Sequence, residues 1–122
     1  MDPIIDRTAH RNVKLRQGDA SKLPFRDGEF DLVFSFLALE QMQSVRDKAL
    51  SEIARVTARN TINIEPFRDY NQLTIQKHYR EARGYLDLHV NELTAFGLKP
   101  IFTFDDWPQK LHLAAGAVVT EK

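Results

Sequence analysis

The chain has 122 residues, 43% of them apolar and 28% charged, a balance typical of one folded domain rather than a disordered chain. Seventeen basic and seventeen acidic residues cancel, so nothing favours nucleic acid as a partner, and the lack of cysteine excludes disulfides, thiolate zinc sites and a cysteine nucleophile. No apolar run is long enough to span a bilayer and no secretory signal is present, so the expectation is a cytoplasmic protein with no membrane partner.

Met1 to Asn12 is a polar leader. Val13-Lys14-Leu15-Arg16-Gln17 alternates apolar and polar, which predicts a half-buried strand. Gly18-Asp19-Ala20 is a turn, and Ser21 to Glu29 is a connection containing Pro24 and the turn signal Asp27-Gly28. Phe30 to Ser35 is almost continuously apolar, as in a strand covered on both faces within a mostly parallel sheet. Ser44 to Ala58 is predicted helical. Ser44 and Asp47 make a start resembling a capping box, Ala49, Leu50, Ile53 and Val56 form one buried stripe, and Asn60 ends the helix in the left-handed conformation. Asp47, Lys48, Glu52 and Arg55 are expected to serve solubility alone.

Thr61 to Glu65 is the next strand, with an unusual polar alternation. Gln72 to Arg83 is predicted helical with Ile75, Tyr79 and Ala82 on its apolar side and Gln76, Lys77, Arg80, Glu81 and Arg83 on its wet face. Asn91 to Phe96 is helical and stops at Gly97. Leu98 to Phe104 and Leu111 to Thr120 are predicted as an antiparallel pair of strands, with a turn at Asp105-Asp106-Trp107-Pro108.

The order GDA, LPF, DG, FDLV, S, LE, AL, EI, RV and EPF resembles the middle of class I S-adenosylmethionine-dependent methyltransferases. The likeness is to their small-molecule branch, which includes the carbon methyltransferases of quinone biosynthesis, and it loosens after Phe67. It implies an α/β fold: a Rossmann-like sheet in the strand order three, two, one, four, five, seven, six, with a C-terminal antiparallel hairpin. The family's opening E/D-x-G-x-G loop is not found, because Gly18, Gly28, Gly84, Gly97 and Gly116 are nowhere paired at that spacing. The sheet is therefore expected to be incomplete, with its first two strands missing and a gap of roughly 14 Å beside the fourth. Residues 1–122 then form a single partial domain. Residues 1–12 are its leader, 13–66 the cofactor-side core, 67–88 a lid and substrate region, and 89–122 a C-terminal helix and hairpin.

Because such sheets bind ligands outside the carboxyl ends of their strands, Gly18 to Ala20 and Ser35-Phe36 are the first site candidates. The resemblance makes S-adenosyl-L-methionine the cofactor. Gly18 gives the turn, Asp19 receives the adenine amino group, the backbone at Ala20 faces the ring, and Ser35 with Phe36 contacts the cofactor. The residue types alone also permit an ordinary Gly-Asp turn whose acid bonds its own backbone, a Ser35 that caps its strand and a Phe36 in the core. Asp2 is a weaker alternative for gripping the ribose. Glu40 falls near the substrate mouth or is a solvated surface residue. Tyr70, His78 and Tyr79 are candidate substrate contacts, with Tyr79 more readily read as a core residue on the apolar stripe. No catalytic base is named, and the four histidines lack metal-ligand spacing.

The function implied is methyl transfer to a small molecule by the chain or by a longer protein of which it is the C-terminal portion. The alternative is a non-catalytic remnant serving as an interaction or dimerisation domain. The apolar edge at Leu32-Val33-Phe34 predicts a homo-oligomer, or a partner chain that completes the sheet. With half the cofactor cradle absent, the chain alone is expected to bind S-adenosylmethionine weakly or not at all.

Overall fold

A computed structural model describes residues 12–84 and 86–122. Strand β1 (Phe30–Phe36) and strand β2 (Thr57–Glu65) run parallel and are linked through helix α1 (Arg46–Val56). Strands β3 (Lys99–Phe104) and β4 (Gly116–Glu121) pair antiparallel, and β4 also pairs antiparallel with β2. The sheet order is therefore β1-β2-β4-β3, which corresponds to the expected four, five, seven, six. The mixed α/β architecture and the C-terminal hairpin are as the sequence implied. Val13 to Gln17 forms no strand and leaves Val13 and Leu15 exposed. A strand needs a bonded neighbour for its backbone groups, and among the described residues none lies beside it. The leader up to residue 11, with Asp2, lies outside the described residues.

Helix α1 buries Ala49, Leu50, Ile53, Ala54 and Val56 against the sheet, the stripe its sequence predicts. Both of its ends differ from expectation. Two short 3₁₀ turns at residues 39–41 and 43–45 lead into it, and no side chain caps its first turn, so Ser44 and Asp47 make no capping box. At the other end the β-branched Val56-Thr57 pair passes from helix to strand with no turn between them. Thr57 Oγ1 donates to the Ile53 carbonyl at 2.6 Å, satisfying one carbonyl of the last helical turn. Asn60 thus sits inside β2 rather than in a left-handed cap, and its amide donates to the Thr120 carbonyl at 3.1 Å.

Glu52 and Arg55 do more than keep the helix soluble. Arg55 donates to the carbonyls of Phe25 (2.8 Å) and Leu23 (3.0 Å) and to Asp27 Oδ1 (2.8 Å), while Glu52 accepts the Leu23 amide at 2.8 Å. The pair is itself joined at 2.6 Å, and together they clamp residues 23–28 onto α1. The Arg55 hydrogen bonds hold the Glu52 carboxyl below its ordinary value, and Glu52 and Asp27 raise the Arg55 guanidinium above its own.

Helix α2 (Thr74–Arg83) forms as predicted but lies the other way round. Ile75 and Ala82 are exposed, whereas Gln76 and Arg80 are buried. Polar partners decide this: Gln76 Oε1 accepts the Leu73 amide at 3.0 Å and Arg80 reaches Asp87 at 3.4 Å. The 3₁₀ turn at Val90–Phe96 ends at Gly97, whose φ of 80° suits glycine. Residues 111–115 do not join β4. Asn71 instead holds them, giving and taking a 2.8 Å hydrogen bond with the backbone of Ala114.

The apolar core lies between α1, the 90–96 turn and one face of the sheet, centred on Leu39, Leu50, Ile53, Phe67, Leu86, Leu88, Leu93, Leu98 and Val118. That face also buries a row of polar side chains. Asn63 Nδ2 donates to Ser35 Oγ at 2.8 Å, Thr61 Oγ1 donates to Asn63 Oδ1 at 2.9 Å, and Thr61 meets Thr120 hydroxyl to hydroxyl. A side chain at Gly116 has no room, because a Cβ there would sit 2.3 Å from the Tyr70 ring. Gly116→Ala is therefore expected to destabilise the fold by about 1–3 kcal/mol. Much of that loss should be recovered when Tyr70→Leu is added, a coupling that urea unfolding of the two single variants and the double variant will measure.

Candidate functional site

The carboxyl ends of the parallel strands β1 and β2 carry a cavity of about 510 Å³. Phe36, Leu37, Ile64 and Pro66 from the strand ends line it together with Tyr79 of α2 and with Trp107, His112 and Leu113. Glu40, Gln109 and Lys110 add polar groups. The lining residues after β3 belong to residues 105–115, drawn into a compact loop by Gln109, whose amide donates to Asp105 O (3.1 Å) and Ala115 O (2.7 Å) and accepts from Ala115 N (3.0 Å). Trp107 packs on Phe104 at 5.3 Å, and His112 stacks edge-on against Tyr79 at 4.5 Å. The loop thus brings two aromatic rings over strand ends that are distant in sequence.

Beneath the cavity rim lies Glu65, the last residue of β2, fully buried. Its Oε2 accepts the Ala38 amide at 3.2 Å, while Oε1 has no hydrogen-bond partner. Burial pushes this carboxyl above its ordinary value, against the opposing pull of Ser35 and the backbone amides of residues 38–40. Glu65 helps fix the turn after β1, where Leu37 adopts a φ of 49°, a region that non-glycine residues rarely enter. The Leu37 amide is held by the Ile64 carbonyl at 2.8 Å. Leu37 and Glu40 are thereby presented to the cavity by a strained turn whose anchors are both in β2.

Of the residues singled out from sequence, Phe36, Glu40 and Tyr79 come together at this cavity. The others lie elsewhere. Gly18 and Ala20 border a separate hollow of about 170 Å³ with Leu23, Pro24 and Phe25. Asp19 Oδ1 accepts both the amide (2.9 Å) and the hydroxyl (2.7 Å) of Ser21, the self-bonded turn, and these bonds hold its carboxyl below the ordinary value. Ser35 is turned into the buried row, occupied by Asn63. Tyr70 packs edge-on against Phe67 at 6.2 Å, and His78 is exposed on α2. Trp107, His112, Gln109 and Lys110 carried no periodic signal in the sequence, because a loop that folds back over a sheet has none. Among the described residues no group of three or more His, Asp or Glu could hold a metal ion. Nor is any helix there long and apolar enough to cross a membrane.

A methyltransferase-domain family model matches residues 3–64. This chain belongs to the S-adenosylmethionine-dependent methyltransferases. Among curated proteins it is 33% identical over 82 residues to the uncharacterised methyltransferase YcgJ of Bacillus subtilis, covering 67% of this chain and 28% of that protein. It is 43% identical over 53 residues to a demethylmenaquinone methyltransferase of Streptomyces avermitilis, covering 43% of this chain and 22% of the relative. The chain thus spans about a quarter of the length of these relatives. Among solved structures, a SAM-dependent methyltransferase of Methanosarcina mazei matches 95% of this chain and 74% of its own, with a TM-score of 0.66 at 16% identity. A SAM-dependent methyltransferase of Thermotoga maritima, described as a possible histamine N-methyltransferase, matches 93% and 66% with a TM-score of 0.59 at 17% identity. These two show the methyltransferase fold.

The family's cofactor would require Asp19 and Ser35 to face one nucleoside recess. Asp19 is instead bonded to Ser21, Ser35 is buried against Asn63, and neither the 510 Å³ cavity nor the 170 Å³ hollow is lined by both. The described residues do not by themselves fit S-adenosylmethionine.

The buried Glu65 makes a pH prediction. An acid whose folded value is raised contributes stability that is complete below its unfolded value, near 4.5, and is lost as pH rises through the folded value. Glu65→Gln keeps an acceptor for Ala38 but cannot ionise. The gap between wild-type and variant urea midpoints should therefore be most favourable to the wild type near pH 4 and shrink steadily toward pH 8. Parallel curves across that range would show that Glu65 titrates normally.

Proposed function

We propose that this chain carries the acceptor-binding part of an S-adenosylmethionine-dependent methyltransferase whose acceptor is a flat, largely apolar small molecule. The observation behind this reading is the cavity at the carboxyl ends of β1 and β2, lined by three aromatic rings, Phe36, Tyr79 and Trp107, with His112 beside them. Its volume is that of a small-molecule site, and its place is where open α/β sheets take ligands. Aromatic rings stack on a planar ligand, and Glu40, Lys110 and His112 can orient a polar substituent at its edge. The quinone acceptor in the name of the Streptomyces avermitilis relative is of this kind. Methyl transfer is an in-line displacement in which holding the acceptor in place and excluding water supply much of the acceleration. The aromatic lining at the strand ends serves both. Phe36, Glu40 and Tyr79 thus act on the acceptor. Gly18, Asp19, Ala20 and Ser35 are left as a cofactor side that this chain does not close alone.

Trp107 is the single tryptophan and lines the cavity, so its fluorescence reports occupancy directly. A hydroxylated naphthoquinone should quench it with a dissociation constant on the order of micromolar to tens of micromolar. Tyr79→Ala should weaken that binding by about tenfold. Calorimetry with S-adenosylmethionine on the same chain should give little or no heat. Tight cofactor binding without quenching by any aromatic acceptor would reverse the assignment of the two sides.

A further inference from the structure

The row of polar side chains buried on the helix-covered face of the sheet has a direction. Thr61 has a single hydroxyl proton and gives it to Asn63 Oδ1 at 2.9 Å, so Thr120 is the donor where the two threonine hydroxyls meet. Asn63 Nδ2 in turn donates to Ser35 Oγ at 2.8 Å. Ser35 accepts there and keeps its own proton, and its hydroxyl is among the groups that pull the Glu65 carboxyl down. The donors thus run one way, from Thr120 on β4 through β2 to Ser35 on β1 and back to Glu65, the last residue of β2. An Asn63 amide turned the other way would claim the Ser35 proton and break the chain at its acidic end.

Glu65 carries this order to the cavity. Its Oε2 accepts the Ala38 amide at 3.2 Å, and the amides of Leu39 and Glu40 also stabilise its charge. These residues follow Leu37, whose φ is 49° and whose amide is held by the Ile64 carbonyl. Phe36, Leu37 and Glu40 all line the cavity, whereas Glu65 does not. An aliphatic side chain would fill the end of β2 without leaving Oε1 unpartnered in the core, so packing alone does not explain an acid there.

We propose that Glu65 is a positioning residue for the acceptor: through the amides of residues 38–40 it sets the turn that presents Leu37 and Glu40, and the buried row from Thr120 to Ser35 fixes its carboxyl in place. This rests on the reading of the cavity as the acceptor site. The groups that act on the Glu65 carboxyl, Ser35 on β1 and the amides of the turn, are uncharged. On the β4 side Glu65 pairs with Gly116, against which the Tyr70 ring lies, and burial raises the Tyr70 hydroxyl above its ordinary value, so that it stays protonated at neutral pH. Glu40 is the ionisable side chain of the turn itself.

NMR on the full 122-residue chain tests the proposal without any acceptor. Between about pH 4 and about pH 9 the Glu65 carboxyl carbon should titrate above its ordinary value, and the Ala38, Leu39 and Glu40 amides should move with the same midpoint. Ser35→Ala should push that midpoint higher, because it removes a group that lowers it. The shared titration should persist in Glu40→Gln and vanish in Glu65→Gln. Trp107 quenching by a hydroxylated naphthoquinone is the second arm. Glu65→Leu should raise the dissociation constant about tenfold, and Glu65→Gln, which keeps an acceptor for the amides, should restore most of the affinity. Adding Glu40→Gln to Glu65→Leu should weaken binding no further, since Glu40 is then already out of place. The wild-type titration stands even where Glu65→Leu does not fold. Amides at 38–40 that ignore the Glu65 titration, or losses from Glu65→Leu and Glu40→Gln that simply add, overturn the positioning role. A wild type that the quinone does not quench overturns the cavity reading instead, and the amide signals still decide whether Glu65 sets the turn.

Discussion

The structure depends on how strand β2 is buried. Thr61, Asn63 and Glu65 all point to the helix-covered face and are fully buried, in a place where a parallel strand ordinarily carries aliphatic side chains. Most of their polar atoms are satisfied by neighbours, Thr120 on β4, Ser35 on β1 and the Ala38 amide beyond it, while Glu65 Oε1 is left without a partner. A buried polar group left without a partner costs about 1–3 kcal/mol. A one-residue slip would separate these partners and expose the row, so the polar ladder fixes the register as firmly as an aliphatic one.

That register has consequences on both sides of the sheet. On the covered side, it ends in Glu65 beneath the turn at Leu37, so the same strand that organises the core also shapes the cavity rim. On the other side it sends Ile62 and Ile64 outward, in line with Phe34, Phe36, Phe102 and Phe104. A mostly parallel sheet is stable when both faces are covered, and here α1 and the 90–96 turn cover one. On the outward face Phe36 and Ile64 line the cavity, so the apolar end of β1 is used there.

The cavity and the core are built from different kinds of information. The core draws on periodic stretches, such as the α1 stripe from Ala49 to Val56, which are close in sequence and act together. The cavity gathers Phe36, Glu40, Ile64, Tyr79, Trp107 and His112 from two strand ends, a turn, a helix and a loop. Its loop is held by Gln109 and Asn71, neither of which belongs to a motif. Even the amphipathic helix α2 shows the distinction: hydrophobicity predicts a helix there, but ion pairs and amide hydrogen bonds turn Gln76 and Arg80 inward.

From the sequence alone came the α/β class, a helix within Ser44 to Ala58, the strands on either side of it, the hairpin at the end and the kinship with methyltransferases. Each rests on local order, whether a spacing, an alternation or a run of short motifs, that survives whatever surrounds it. Only the tertiary structure decided that Val13 to Gln17 is no strand, that Thr57 continues the chain without a turn, and that Arg55 is a clamp. It also decided that Asp19 and Ser35 turn away from a common recess while Trp107 and His112 close another. These outcomes turn on which distant group reaches a given donor or acceptor first, and a hydrogen bond between residues far apart in the chain leaves no mark on the spacing of either.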